Sequence, residues 1–207
     1  MGGTLIEPYP SVGEVYTRVA RRFGIEANPR EVSANFSRAW KTKVAFNHSR
    51  AAWSELVRAS FQNLGEISTE CFDAIYNEFA QPSAWRIYPD VVPILESLSS
   101  AKKRLGIISN WDERLRPLLN ALKLSDYFES IIISQEVGYP KPRIEIFHAA
   151  AEAFRIPASN ILHIGDGRKE DYEGARAAGF KAIHLDRSKN AATGSIRSLA
   201  DLPQIIE

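Results

Sequence analysis

The stretch Ile161-Leu162-His163-Ile164-Gly165-Asp166-Gly167-Arg168-Lys169-Glu170-Asp171 decides the fold. Four mostly apolar residues run into an aspartate flanked by glycines, and a charged segment follows with helical character. A short apolar run bounded by turn residues suits a strand buried on both faces, as parallel sheets require. The pattern recurs on either side. Residues 105–109, 130–134 and 181–185 are further β-like runs, and residues 91–99, 113–121, 144–154 and 170–178 carry helical apolar spacing. Apolar strands alternating with amphipathic helices specify an α/β fold with a doubly wound parallel sheet.

The first part of the chain has a different grammar. Residues 10–85 read as helices only. Ser11-Val12-Gly13-Glu14 has the form of a capping box and opens a helix that stops at Gly24. Pro29 suits the first turn of the next helix, and further helices are expected over residues 49–64 and 69–79. Tyr16, Phe23, Phe36, Trp40, Phe46, Trp53, Phe61, Phe72, Tyr76 and Phe79 are expected to form the core of a small bundle. The expected organisation is an α/β core of residues 1–9 and 86–207 carrying an all-helical insertion, residues 10–85.

Composition excludes several classes of function. In 207 residues, 26 Lys and Arg balance 25 Asp and Glu for a formal charge of +1. That balance is not the footprint of a nucleic-acid binder or of a polybasic membrane binder. Apolar runs fall far short of the ~20 residues that span a bilayer. The single cysteine, Cys71, allows no intramolecular disulfide, so a reducing cytoplasm is the expected compartment. Met1-Gly2-Gly3-Thr4-Leu5-Ile6 has neither the basic nor the apolar region of a signal peptide.

In an open parallel sheet, ligands bind outside the carboxyl ends of the strands. That rule selects Ser109 and Asn110 after one strand, Lys141 after the next, and Asp166 and Asp171 after a third. A hydroxyl, an amide, an ammonium and two carboxylates suit a phosphate and a hard divalent cation. Singly, each has an ordinary structural reading: Asp112 as a helix cap, Lys141 as a loop lysine, His163 as a core residue of its strand. Gly165-Asp166-Gly167 lacks the third glycine of a dinucleotide fingerprint, so a nicotinamide site is not expected.

Taken in order, Ile-Ile-Ser109-Asn110, Lys141-Pro142 and Gly-Asp166-x-x-x-x-Asp171 resemble motifs two, three and four of the haloacid dehalogenase (HAD) superfamily, and Gly2-Gly3-Thr4-Leu5 resembles the end of motif one. The resemblance covers essentially the whole chain, with the helical zone in the position of the family's first-type cap. It implies a phosphatase-type hydrolase that uses Mg²⁺ and forms an aspartyl-phosphate on a small phosphorylated substrate. Ser109 would bind the transferring phosphoryl group, with Asn110 and Thr4 on the substrate side. Lys141 would neutralise charge, Asp166 would bind the metal and Asp171 would act in its surroundings. Two departures stand out. The nucleophilic aspartate falls immediately before Met1, which is expected to reflect a truncated or misassigned start. Gly2 occupies the place of the family's usual general acid, a group worth ~10²–10⁴-fold in rate. A 2-haloacid dehalogenase would not need that acid, and a catalytically silent HAD-like binding protein is the third reading.

Overall fold

The structure is a computed structural model describing residues 1–43, 46–188 and 194–205. The chain divides into two compact units. One comprises residues 1–6, 87–112 and 123–207, and the other residues 7–86 and 113–122. Segment 113–122, read from sequence with the α/β part, groups with the helical unit. The elements of the helical unit are α1 (Val12–Ala20), α2 (Pro29–Thr42), α3 (Arg50–Ser60) and α4 (Thr69–Glu78), joined by the later helix Leu115–Ala121.

Local chemistry sets these helices. The Ser11 side chain accepts from the Glu14 N–H, Asn28 caps α2 just ahead of Pro29, and Ser49 and Ser68 cap α3 and α4. Such caps satisfy amide donors that have no partner within the helix. A short 3₁₀ turn, Arg21–Phe23, continues α1 and ends at Gly24, whose φ of 77° closes it. The apolar faces converge on a core of Tyr16, Val19, Val32, Val57, Phe61, Cys71, Phe72, Ile75 and Tyr76. Phe23 and Trp40 are exposed instead. Phe23 lies in the terminal 3₁₀ turn, while Trp40 joins Phe46, His48 and Trp53 in an aromatic cluster that meets the core through Phe36 and Trp53.

The α/β unit alternates as its sequence pattern demands. After β1 (Ile6–Pro8) and β2 (Trp85–Ile87), which pair with one another where the chain passes between units, come β3 (Gly106–Ser109), β4 (Ser130–Ile133), β5 (Leu162–Gly165) and β6 (Lys181–His184). Strand β3 runs parallel to β4 with Ile107 opposite Ile131, and β5 parallel to β6 with His163 opposite Ala182. Helices Val91–Ser100 and Ile144–Phe154 belong to this unit. The latter buries Ile146, Phe147 and Ala150 against Ala175, Ala178 and Phe180. The parallel strands form two separate pairs. A cavity of about 910 Å³ is lined by both β3 and β5. Among the described residues, no helix is long and apolar enough to cross a membrane.

Candidate active site

Five loops meet at the carboxyl ends of β3 and β5. Residues 1–5 form a tight turn in which the Met1 carbonyl accepts from the amides of Leu5 and Ile6. Gly3 makes that turn possible. Its φ is +78°, and a Cβ there would lie 2.2 Å from the Asp166 carboxylate, so no other residue fits without displacing Asp166. The closeness has a use: Thr4 Oγ1 donates to Asp166 Oδ1 at 2.6 Å, which orients an otherwise exposed carboxylate.

Asn110 fixes the next loop. Its Nδ2 donates to the Lys141 carbonyl at 3.0 Å, and its Oδ1 accepts from the Lys141 N–H at 2.7 Å. A side-chain amide that pairs with a backbone amide in both directions holds one loop rigidly against the other. Lys141 is thereby turned inward. It is buried, its Nζ donates to the Ile108 carbonyl at 3.0 Å, and it forms a close ion pair with Asp171. Solvent does not hold this lysine; the rim does.

Asp171 reaches the site through a break in helical regularity. Sequence periodicity predicts an ordinary α-helix over residues 170–178, but Arg168–Glu173 is a π-helix and only Gly174–Ala177 is α. The Gly167 carbonyl accepts from both Asp171 and Tyr172 N–H, at 2.7 and 3.2 Å. The wider turn lets the Asp171 carboxylate accept from the Gly167 N–H at 2.9 Å while meeting Lys141. Turns of this kind are frequent at functional sites. A Cβ on Gly165 would lie 2.2 Å from the Asp171 carboxylate carbon, so the glycine before Asp166 leaves room for Asp171.

His163 is the first residue whose role the sequence did not disclose. It is a strand residue, as read, but its Nε2 lies 2.9 Å from Asp171 Oδ1. A carboxylate only accepts, so Nε2 carries the proton. Burial pushes the imidazole below its ordinary pKa, despite the opposing pull of Asp171. Asp171 itself resists its burial: Lys141 and the His163 hydrogen bond hold its carboxyl well below the usual range. The α-amine of Met1, buried near Lys141, is lowered to about 6. A signal for His163 lay in the strand, where a lone polar residue interrupts an apolar run eight positions before an aspartate.

Arg187 is the second such residue. Its guanidinium grips both oxygens of Asp90, at 2.9 and 3.0 Å, and donates to the Thr4 carbonyl at 2.8 Å. Asp90 also accepts from Ser198 Oγ and the Leu199 N–H. Arg187 follows the end of β6, so the rim rule extended by one strand would have found it.

The contacts above thus join Thr4 to Asp166 and, in a second set, Asn110 to Lys141 and Lys141 to Asp171. Ser109 is buried at the last position of β3, beside Asn110 in the chain. Trp111 stands near Gly2: a Cβ on Gly2 would meet its ring at 3.5 Å, ordinary van der Waals contact. Among the described residues, no cluster of three or more His, Cys, Asp or Glu side chains has the spacing of a metal cage.

The chain is similar to known proteins over most of its length. A family model described as haloacid dehalogenase-like hydrolase matches residues 1–179. Haloacid dehalogenase-like hydrolase domain-containing protein 3 of Danio rerio is 31% identical over 203 residues, covering 92% of this chain and 84% of that protein. Among solved structures, a HAD phosphatase from Thermococcus onnurineus has a TM-score of 0.71 at 25% identity, covering 99% of this chain and 94% of its own. A 2-haloacid dehalogenase from Pseudomonas syringae pv. Tomato DC3000 has a TM-score of 0.65 at the same identity and coverage. With a family match over residues 1–179 and a relative 31% identical over most of both chains, the chain belongs to the haloacid dehalogenase-like hydrolases.

Proposed function

We propose that this chain is the body of a Mg²⁺-assisted phosphate-ester hydrolase acting on a small phosphorylated substrate through an aspartyl-phosphate. The nucleophile of this reading, an aspartate, is supplied by the family resemblance. The observation that carries this reading is the inward-turned Lys141, held by Asn110 and Asp171 next to the Asp166–Thr4 pair. A buried ammonium at the mouth of a parallel sheet suits an anion that must arrive and leave.

In the first step, a carboxylate oxygen of that aspartate attacks phosphorus, the ester P–O bond breaks and the alcohol departs. In the second, water attacks the same phosphorus, the carboxylate–phosphorus bond breaks and inorganic phosphate leaves. Two easier displacements replace one hard hydrolysis. Ser109 and Asn110 orient the phosphoryl oxygens. Lys141 offsets charge building on them, and Asp171 and His163 keep the ammonium in place. The donor set fits Mg²⁺, which takes one or two carboxylates and retains water. Asp166 is exposed with one oxygen engaged by Thr4 and would hold the ion, while Asp171, committed to Lys141 and His163, would act on it through water. Bound there, Mg²⁺ would supply Lewis-acid stabilisation of phosphoryl charge. With Gly2 in the general-acid position, an alkoxide leaving group must take its proton from solvent, so phenolic esters are the better substrates.

Gly2 and the dehalogenase neighbour favour one second reading, halide displacement from a 2-haloacid, because halide leaves without a proton. One experiment separates the two. The chain is preceded by an apolar strand ending in Asp and given para-nitrophenyl phosphate with Mg²⁺ or EDTA. Phosphate release that EDTA stops, and that Asp166→Asn removes, is expected. Chloride release from chloroacetate in EDTA, without phosphatase activity, would put the dehalogenase first. Neither activity would leave a silent binding protein.

A further inference from the structure

We infer that Trp111 is a specificity residue of this site, an aromatic wall that selects phosphate esters whose leaving group is itself aromatic. The inference rests on the proposed function for the phosphate and deepens it on the leaving-group side. Trp111 directly follows Asn110 and stands two residues after Ser109, so its backbone leaves the rim where the phosphoryl group would sit. That backbone is held on both sides. Asn110 pairs with the Lys141 main chain in both directions. The Ser134 hydroxyl, buried just after β4, accepts from the Trp111 N–H at 3.1 Å and donates to the Trp111 carbonyl at 3.2 Å. The same carbonyl accepts from the Gln135 N–H at 3.3 Å. A side chain on so fixed a backbone is in place before a ligand arrives, which lowers the cost of ordering it. Trp111 is half-buried, so part of it remains open to contact.

The place the ring occupies decides its use. The six-membered end of the indole is what a Cβ on Gly2 would meet, at 3.5 Å, while a Cβ on Gly3 would lie 2.2 Å from the Asp166 carboxylate. Two consecutive residues of one turn therefore have the indole beside one and the carboxylate that would hold Mg²⁺ beside the other. Chain dimensions limit the separation of the two to ~13 Å, the span of a cation, a phosphoryl group and an aryl ring resting on the indole. By the family resemblance, Gly2 stands where a general acid would act on the leaving oxygen. That place offers an indole in this chain, and no carboxyl. Such a wall gives an alkoxide nothing, but it binds an aryl ring by burial and by ring–ring attraction.

The chemistry of the leaving group points the same way. When the ester P–O bond breaks, the leaving oxygen keeps the bonding electron pair. An aliphatic alkoxide formed without an acid is a strong base and departs with difficulty. A phenol ionises near pH ~10, as tyrosine does, so a phenolate departs as the anion and takes its proton from water afterwards. Gly2 and Trp111 thus favour the same leaving group on separate grounds, one through the missing proton and the other through contact.

The test is an NMR titration of the 207-residue chain, in the presence of Mg²⁺, with inorganic phosphate, methyl phosphate and phenyl phosphate. Phenyl phosphate is expected to bind about tenfold more tightly than methyl phosphate, with Overhauser contacts between its ring protons and the Trp111 indole. Trp111→Leu should bring the ratio of the two affinities close to one, and Trp111→Phe should keep most of it. A tryptophan with a merely structural role would instead weaken all three ligands together and leave the ratio as it was. The wild-type ratio and the ring contacts need no variant, so a Trp111→Leu chain that failed to fold would leave the test standing. Equal affinity for the two esters overturns the inference. So does an aryl preference that survives Trp111→Leu, or ring contacts to other residues alone. Phosphate binding without an aryl preference removes this inference and leaves the hydrolase, whereas failure of all three ligands to bind removes the phosphate reading and this inference with it.

Discussion

The helical unit and the α/β unit meet the same demand, a buried interior, in opposite ways. The first closes its core with side chains alone: Leu56, Phe61 and Val32 are fully buried or nearly so, and the neighbouring Cys71 is free and buried with them. The second retains a cavity lined by strand edges and places an ion pair, an imidazole and an amine beside it. Apolar packing tolerates pH and punishes lost volume. Buried charge does the reverse: it tolerates nearby empty space and punishes a lost partner. The α/β unit is therefore where chemistry is possible, and where single changes of charge should hurt most.

The sharpest way to break this contrast is Lys141→Met, which keeps most of the side-chain volume and removes the charge. Asp171 would then be a buried carboxylate supported by His163 and one backbone N–H. Breaking a buried pair by deleting one partner costs about 3–5 kcal/mol, and urea denaturation should show a loss in that range. A change under 1 kcal/mol would mean that the pair is solvated and that Lys141 is an ordinary loop lysine.

Volume should sort the units the other way. Leu56→Ala in the helical core should fall toward the upper end of the ~2–5 kcal/mol typical of such truncations, because a filled interior cannot collapse onto the void. Ile107→Ala also removes a buried side chain, but Ile107 already borders the cavity, so its loss should lie toward the lower end. Equal losses in urea melts would show that the cavity closes in solution.

These differences match what could be read from residues alone. The helical unit was legible because its rules are local: Ser11, Asn28, Ser49 and Ser68 mark helix starts within three residues of the groups they cap. The strands were legible for a similar reason, since apolar runs locate them, and the rule for parallel sheets then selects the residues at their ends. The misses are all long-range. The π-turn at Arg168–Glu173 carries Asp171, whose partner Lys141 lies thirty residues away in sequence. His163 shares that carboxylate, and Arg187 ties Asp90 to the Thr4 turn. None of these partners lies within a helical turn of the other, so periodicity carries no trace of them. Trp40 failed as a core residue for the converse reason: helical spacing gives a face, not what covers it.

Titration should separate the units next. The Met1 α-amine has an ordinary value of 8.0, and burial with Lys141 lowers it to about 6. Folding then favours the neutral amine, so the stability it contributes is present above pH 8 and lost as pH falls to about 6. At ~1.4 kcal/mol per unit this is about 3 kcal/mol. His163, also depressed by burial, extends the loss below pH 6.5. In the helical unit the buried Tyr16 phenol is pushed up, so its contribution is present below pH 10 and lost as pH rises. Acetylating the α-amine should flatten the stability profile between pH 8 and 6 and leave the alkaline limb alone, whereas Tyr16→Phe should do the opposite. If acetylation leaves the neutral-to-acid limb unchanged, the amine is not buried in solution.

The smallest expected effect tests the local side of the contrast. Ser11 Oγ accepts from the Glu14 N–H at 3.1 Å in an exposed position, so it satisfies an amide that water could otherwise reach. Ser11→Ala should therefore cost about 1 kcal/mol, the usual worth of an N-cap, with little dependence on pH between 5 and 9 because no charge moves. Glycine at the same position should cost only a few tenths of a kcal/mol, since it opens the helix end to solvent. Thermal melts of both variants would resolve the difference. A Ser11→Ala loss well above 2 kcal/mol, or one that grows as pH falls, would show that the start of α1 is coupled to buried charge, and the division between a locally determined helical unit and a charge-dependent α/β unit would have to be redrawn.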